Sequence, residues 1–211
     1  MLSISTASSF VRWSLRQRSA NAVLRHFRLA PVSYRYFYQT FRMPYMDWYR
    51  EHGLQASVAD DQVREVYFSK LNSLKAPAFY AGIVDVIKEL NLRGYVLAIV
   101  STGRGDHIRR CLDRELCDGG QPLSAIFDRI IDHAVDKCKP LHELAHEFEC
   151  EINEVVLVGD LESDVADGLR AGAQTIGVIN TPEMEEVFRR AGAHYRIRNR
   201  QKILDIVLRS Q

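Results

Sequence analysis

The fold is decided by the stretch VVLVGDLESD, residues 155–164 of this 211-residue chain. Its first four residues form a continuous apolar run that ends at Gly159, which is the pattern of a short strand buried on both faces. Two carboxylates, Asp160 and Asp164, flank the turn that follows this strand. Hard oxygen ligands of this kind suit Mg²⁺. A purely structural interpretation is also open, in which Asp160 ends the strand and Asp164 caps the next helix.

Strand and helix patterns alternate on both sides of this stretch. Short apolar runs predict strands, and apolar residues at helical spacing predict helices between them. This alternation predicts an α/β protein with a parallel sheet and right-handed crossovers. Functional residues of such sheets lie at the carboxyl ends of the strands. After packed, aromatic-rich helices in 20–45, the predicted helices are 61–74, 83–92, 107–116, 141–148 and 163–171, and the predicted strands are 95–100, 127–131, 155–158, 175–178 and 193–197.

Two further strand ends carry side chains suited to phosphate. Ser101 and Thr102 directly follow the strand 95–100, where a hydroxyl and free backbone N–H groups can hold a phosphate oxygen. Lys139 follows the second strand, and an ammonium group there can neutralise phosphoryl charge. Each feature alone is weak, because Ser-Thr-Gly is common in turns and a lysine is usually a solvated surface residue. The three strand ends together indicate one phosphate site.

Composition excludes several classes of protein. Lys and Arg number 28 against 27 Asp and Glu, so a nucleic-acid binder that is basic throughout is excluded. No window approaches about 18 consecutive apolar residues, so the sequence predicts no transmembrane helix. The four cysteines form no CxxC pair, which favours reduced thiols and a cytoplasmic location. The alternative location is the mitochondrial matrix, because residues 1–46 contain seven Arg and no acidic residue, as transit peptides do.

Three motifs in this order resemble the haloacid dehalogenase-like (HAD) superfamily, on its phosphoglycolate phosphatase-like side. Ser101 matches the second motif, a strand that ends in Ser or Thr, and Lys139 matches the third. Residues 159–164, GDLESD, match the fourth motif, GDxxxD. The resemblance implies a Rossmann-like parallel sheet with a small helical cap. It implies an atypical N-terminal segment over 1–20, the cap and its connections over 21–80, and the core over 81–211.

The resemblance also implies a chemistry. The family's phosphatases hydrolyse phosphate monoesters with Mg²⁺ as cofactor, through an aspartyl-phosphate. The expected partner is a small phosphorylated metabolite, bound by a monomer or homodimer without nucleic acid or membrane. Asp160 and Asp164 are the expected metal residues, with Asp164 orienting Lys139 or a metal-bound water. Ser101 would hold a phosphoryl oxygen, and Lys139 would neutralise the charge of the nucleophile and phosphate. The residues expected to contact the substrate are Ser101, Thr102 and Arg104.

The family's first motif, DxDG followed by Thr or Val, has no counterpart here. It should supply the nucleophilic Asp at the end of the central strand, but the chain has no Asp or Glu before Asp47. The segment 10–18 stands where the resemblance places that strand, and Arg12 and Ser14 do not suit a buried central strand. We therefore expect a central strand that is atypical or missing, no nucleophile, and a hydrolase that is inactive as written.

Two alternatives to an inactive hydrolase are open at this point. One is a non-catalytic pseudoenzyme that binds phosphate without turnover. The other is a truncated or frameshifted product with an altered start. Residues 11–15, VRWSL, can be read in the next frame as FDGVF, where the Trp codon forces the Gly and the Asp is permitted. That reading resembles the tail of the missing motif.

A zinc-protease pattern also occurs in the sequence. Residues 142–146 read HELAH, a literal HExxH that places His142 and His146 on one helical face with Glu143 as a candidate base. The metzincin continuation, with Gly three and His six residues after His146, is absent. The polar face of an ordinary outer helix is the favoured interpretation, and a zinc metalloprotease is the remote one.

Overall fold

The chain folds into two compact units. The computed structural model describes residues 2–5, 13–74, 79–80 and 82–209. A sheet unit comprises residues 1–10 and 79–211, and a helical unit comprises residues 11–78. The start of the chain therefore belongs to the sheet unit, whereas the predicted division sets residues 1–20 apart as one segment.

Over the described residues, the sheet has six parallel strands in the order β3-β2-β1-β4-β5-β6. The chain progresses outward in one direction from β1 to β3 and in the other from β4 to β6, which is the Rossmann-like order. Ligands of such sheets bind beyond the carboxyl ends of the strands where the order reverses. The predicted α/β class with a Rossmann-like parallel sheet is confirmed. The strands are β1 (Leu2–Ser5), β2 (Leu97–Val100), β3 (Arg129–Ile131), β4 (Val156–Gly159), β5 (Gln174–Val178) and β6 (Tyr195–Ile197).

Helices connect the strands and also build the helical unit. The helical unit contains α1 (Trp13–His26), α2 (Tyr34–Thr40), α3 (Tyr45–Glu51) and α4 (Asp60–Ser73). The sheet unit contains α5 (Ile83–Leu92), α6 (Gly105–Leu112), α7 (Cys138–Glu147), α8 (Glu162–Ala171), α9 (Pro182–Ala191) and α10 (Lys202–Arg209). None of the described helices is both long and apolar enough to cross a membrane. All four cysteines are free thiols, as predicted.

The inner strands form because their side chains are apolar on both faces. Leu97 and Ile99 of β2 pack into the core on one face of the sheet. Ala98 and Val100 of the same strand pack with Leu144 of α7 on the other face. A parallel strand covered by helices on both sides has no solvent-facing residues, which is why the run is continuously apolar.

The central strand of the sheet is β1, and it is present near the start of the chain. It pairs in parallel with β2 on one side and with β4 on the other, so that Leu2 lies opposite both Leu97 and Val156. It lies at residues 2–5, and not in the segment 10–18 where the resemblance places it.

Most of the segment 10–18 belongs to a helix. Residues 10–12 lie outside the described residues, and α1 begins at Trp13. The helical spacing of Ala20, Val23 and Leu24 explains this, because all three are fully buried along one side of α1. The described part of that segment forms no strand, and Ser14, which does not suit a buried central strand, stands on a helix.

Aromatic residues build the interior of the helical unit. Phe37 and Trp48 are fully buried, with their ring centroids 5.4 Å apart in an edge-to-face arrangement. Tyr49 is 1% exposed and its pKa is raised well above the usual value by burial. These rings pack between helices, as the aromatic-rich pattern of 20–45 predicts.

Candidate functional site

Four polar side chains follow four of the parallel strands, at the end of the sheet where the strands finish. Ser101 follows β2, Asp160 follows β4, Asn180 lies two residues beyond β5, and Arg200 lies three residues beyond β6. Because all strands are parallel, their carboxyl ends meet at this edge. Since β1 separates β2 from β4 and neighbouring strands lie about 4.8 Å apart, the backbones of Ser101 and Asp160 are roughly 10 Å apart. Ser101 and Asp160 therefore stand on opposite sides of the end of β1.

Ser101 is buried and held by three hydrogen bonds. Its backbone N–H donates to the carbonyl of Ile131 at 2.9 Å, and its carbonyl accepts from the N–H of Ala134 at 2.9 Å. Its Oγ accepts from the N–H of Gly103 at 3.0 Å. The hydroxyl proton then remains to be donated, because a serine hydroxyl both donates and accepts. Ser101 therefore presents a donor at the strand end where the sequence predicts one.

The turn from β4 into α8 is organised by Asp164. One carboxylate oxygen, Oδ2, accepts from the backbone N–H groups of Asp160 at 3.1 Å and of Leu161 at 3.0 Å. The Asp164 carboxylate thus accepts from Leu161, the residue that precedes α8, as carboxylates in the first turn of a helix commonly do. The side chain of Asp164 also packs directly against Gly159. A Cβ added at Gly159 would lie 2.2 Å from the Cβ of Asp164, so no larger residue fits there. The structural interpretation of Asp164 as a helix cap is therefore correct.

The lysine at this site is Lys137, which the sequence analysis does not select. It stands directly before α7, with 2% of its side chain exposed. Its ammonium group donates to Oδ1 of Asp164, which is fully buried. Its backbone N–H donates to Oδ2 of Asp167 at 3.0 Å, and burial raises the pKa of that carboxyl. Asp164 and Asp167, both on α8, therefore fix Lys137 at two points.

Lys139, the predicted catalytic lysine, lies on the protein surface. Its side chain is 84% exposed, and its ammonium group lies 3.5 Å from the carboxylate of Glu143 one helical turn away. The reason is the start of α7 at Cys138, which makes Lys139 the second helical residue and turns it toward solvent. The assignment of Lys139 to the site is wrong. Pro140 indicates a helix start at this point, but both lysines lie there, so the sequence carries no signal that selects Lys137.

Arg200 and Asn180 are site residues that the sequence analysis misses. Arg200 is 8% exposed, and its Nη2 donates to Oδ1 of Asn180 at 2.6 Å. Asn180 Nδ2 donates in turn to Oδ2 of Asp160 at 3.4 Å. The guanidinium carbon lies 3.5 Å from the centroid of the Tyr80 ring, and burial lowers the pKa of Arg200. Asp160, Asn180 and Arg200 follow one another at intervals of twenty residues, so only the strand order brings them together.

The loop after β2 contributes less cationic charge than its sequence suggests. Arg104 is exposed and its guanidinium binds Asp106, with Nε 3.0 Å from Oδ1. Burial lowers the pKa of His107 to about 4, so its imidazole is neutral at pH 7. His107 instead contacts the sulfur of Cys111 at 3.5 Å. Thr102 is half-buried beside Ser101.

The carboxylate of Asp160 fits a Mg²⁺ ion at the carboxyl ends of the strands. Mg²⁺ in proteins takes one or two carboxylates and completes its shell with water and substrate phosphate. Asp160 is a fully buried carboxylate at the end of β4 and meets that requirement. Asp164 accepts from Lys137 and from two backbone N–H groups, so it positions Lys137, and its expected role as a metal ligand stays a prediction. The described part of the chain holds no cluster of three His, Cys, Asp or Glu that could bind a metal.

Comparison with known proteins decides the family. The model of the haloacid dehalogenase-like hydrolases matches residues 12–178. The chain belongs to this family. The match begins after β1 and includes the strand ends of β2, β4 and β5.

Curated relatives of this HAD-family chain are phosphate-ester or phosphoanhydride hydrolases by name. The pyrophosphatase PpaX of Halalkalibacterium halodurans is 29% identical over 133 residues, which are 61% of this chain and 59% of the relative. The phosphoglycolate phosphatase of Haemophilus influenzae is 26% identical over 145 residues, 63% of this chain and 61% of the relative. The chain thus matches about three fifths of the length of each. A solved haloacid dehalogenase-like hydrolase from Bacteroides fragilis shares the fold, with a TM-score of 0.80 at 14% identity over 96% of this chain and 98% of that one.

The HELAH segment of this HAD-family chain lies on the outer face of α7. His142, Glu143 and His146 are exposed, while Leu141 and Leu144 on the opposite side are buried. Among the described residues no third ligand joins the two imidazoles. The pattern is thus the polar face of an amphipathic helix, as the favoured interpretation expects.

Proposed function

We propose that this chain binds small phosphate monoesters at the carboxyl edge of its sheet, in a phosphatase-type site of the HAD family, with little or no hydrolysis. The observation that carries the proposal is the buried Lys137–Asp164 pair beside Asp160. Burying a lysine and a carboxylate is costly unless both are paired, and here Asp164 balances the charge of Lys137 and fixes its position. An ammonium group at the strand ends is suited to an anion.

Several side chains around this pair would bind a phosphoryl group together. A lysine ammonium has three donors, and Asp164 takes one of them, so two remain for phosphate oxygens. Ser101 supplies a hydroxyl donor from the other side of β1. Asp160 would hold Mg²⁺, which supplies positive charge to the phosphoryl oxygens when it is bound. Asp164 holds Lys137 in place and does not touch the substrate.

The names of the relatives support the substrate class but not a particular substrate. A pyrophosphatase and a phosphoglycolate phosphatase both act on small phosphorylated compounds. The match covers about three fifths of the length of each relative. We therefore propose a class of substrate and not one particular compound. The expected ligand is a small phosphorylated metabolite.

We expect little or no turnover because no carboxylate follows the central strand β1. Residues 1–46 contain no carboxylate, so no Asp or Glu follows β1 to attack phosphorus. Covalent catalysis requires an activated nucleophile, and its loss removes most of a rate enhancement of many powers of ten. A phosphate-binding protein of this family without turnover agrees best with the presence of Ser101, Lys137 and Asp160 beside a strand end that has no carboxylate.

Inorganic phosphate is expected to bind the folded protein and to raise its unfolding temperature. A Ser101→Ala variant should bind phosphate about tenfold more weakly, because it loses one charge-assisted hydrogen bond. Isothermal titration calorimetry and thermal unfolding, with and without Mg²⁺, measure both effects. Ser124→Ala is the matched control, since Ser124 precedes β3 and its hydroxyl binds Asp113.

The same samples test turnover with p-nitrophenyl phosphate. We expect no hydrolysis above that of an Asp160→Asn variant. Absence of any phosphate binding at millimolar concentration would refute the proposed site. Turnover that disappears in Asp160→Asn would instead show that another carboxylate serves as nucleophile, and would refute the proposed loss of activity.

A further inference from the structure

Arg200 is a buried cation, and no described carboxylate forms an ion pair with it. It lies between β6 and α10 with 8% of its surface exposed. Its contacts are the ring of Tyr80, 3.5 Å from the guanidinium carbon, and Oδ1 of Asn180, 2.6 Å from Nη2. Among the described residues no carboxylate lies within ion-pair distance of it, and its Nε has no hydrogen-bond partner. A buried charge of this kind is unfavourable unless an opposite charge lies nearby.

One amide connects Arg200 to the carboxylate of Asp160. Asn180 accepts from Arg200 with its oxygen and donates to Asp160 with its nitrogen. Both bonds agree with one orientation of the amide, so the chain Arg200–Asn180–Asp160 has a defined polarity. Asp160 contributes to the electrostatic environment of Arg200, although the two do not touch. The three residues end neighbouring strands β4, β5 and β6, which fixes their separation.

We infer that Arg200 is a built-in countercharge for Asp160, which weakens the binding of a divalent cation there and lets phosphate bind without one. The inference rests on the proposed function, because it concerns the same site. A fixed positive charge near a carboxylate repels a second cation from that carboxylate and attracts an anion to the same edge. The retained Lys137 and the buried Arg200 then supply positive charge that a metal ion would otherwise bring. Arg200 is a positioning residue, since it acts on Asp160 through Asn180.

Mn²⁺ alone is the probe for the cation side of this inference. Removing the charge in Arg200→Gln should tighten Mn²⁺ binding about tenfold, measured from the electron paramagnetic resonance signal of free Mn²⁺. Arg200→Lys keeps the charge and should bind Mn²⁺ as the unchanged protein does. The gain should vanish when Asp160→Asn is combined with Arg200→Gln. A merely structural role predicts the opposite sign, because a disordered Asp160 binds Mn²⁺ more weakly.

The second part of the inference, that phosphate binds without a divalent cation, is tested on the unchanged protein. Inorganic phosphate should bind with similar affinity, within about threefold, in the presence and absence of Mn²⁺. Binding that requires Mn²⁺, or Mn²⁺ affinity that is unchanged or weaker in Arg200→Gln, would overturn the inference. If phosphate binds neither with nor without Mn²⁺, the proposed function is refuted, and the inference about Arg200 is refuted with it. The unchanged protein thus gives a decisive result even where a substitution prevents folding.

Discussion

Replacing Lys137 with methionine is expected to lower the free energy of unfolding by about 3–5 kcal/mol. The side chain of Asp164 is fully buried and loses the ammonium group that balances its charge. An uncompensated buried charge is among the most destabilising defects a point mutation can create. Urea denaturation followed by circular dichroism measures the change.

Lys139→Met is the matched control for this substitution. The same side chain is removed two residues away, at a position that is 84% exposed. We expect a change within about 0.5 kcal/mol, because surface ion pairs contribute little. Adding Asp164→Asn to Lys137→Met should recover part of the loss, since asparagine keeps an acceptor for the two backbone N–H groups without the charge. Equal effects of the two methionine variants would contradict the assignment of the site lysine.

Gly159→Ala is expected to destabilise the protein by about 3 kcal/mol and to disrupt the site. An added Cβ would lie 2.2 Å from the Cβ of Asp164 and 2.6 Å from its Oδ2. The backbone must then shift, and overpacking of this kind costs about 1–3 kcal/mol. The hydrogen bonds from Asp160 and Leu161 to Asp164 weaken with it, at about 1 kcal/mol each. Chemical denaturation and phosphate titration measure the two consequences.

Gly94→Ala separates this clash from the effect of any glycine substitution. Gly94 has a φ of +78°, and an added Cβ would have no atom within 4 Å. The cost is then only that of a left-handed backbone, about 1–2 kcal/mol, with phosphate binding unchanged. A Gly159→Ala variant no less stable than Gly94→Ala, with normal phosphate binding, would contradict the close packing of β4 against α8.

The sheet is predictable from sequence where its strands are buried on both faces. The runs that become β2 and β4 are apolar up to the turn residues that follow, so their pattern indicates buried strands rather than surface strands. The central strand is harder to find, because β1 is only four residues long and contains two serines. Helices α9 and α10 are absent from the prediction, although both carry apolar faces that pack on the sheet unit.

The sequence predicts a site residue only where that residue directly follows an apolar strand. Ser101 and Asp160 directly follow apolar runs, so sequence position alone indicates them. Lys137 and Lys139 are two residues apart, and sequence spacing does not distinguish them. The start of α7 does, because it places one lysine against Asp164 and the other in solvent.

The sequence by itself determined the class of fold, the positions of Ser101, Asp160 and Asp164, and the lack of a carboxylate before Asp47. These features are local, since each depends on an apolar run and the residue that follows it. Only the tertiary structure decided that Lys137 is the buried lysine, that Asp164 positions it, and that Arg200 reaches Asp160 through Asn180. Those contacts join residues that are far apart in the chain, and they exist because parallel strands end at the same edge of the sheet.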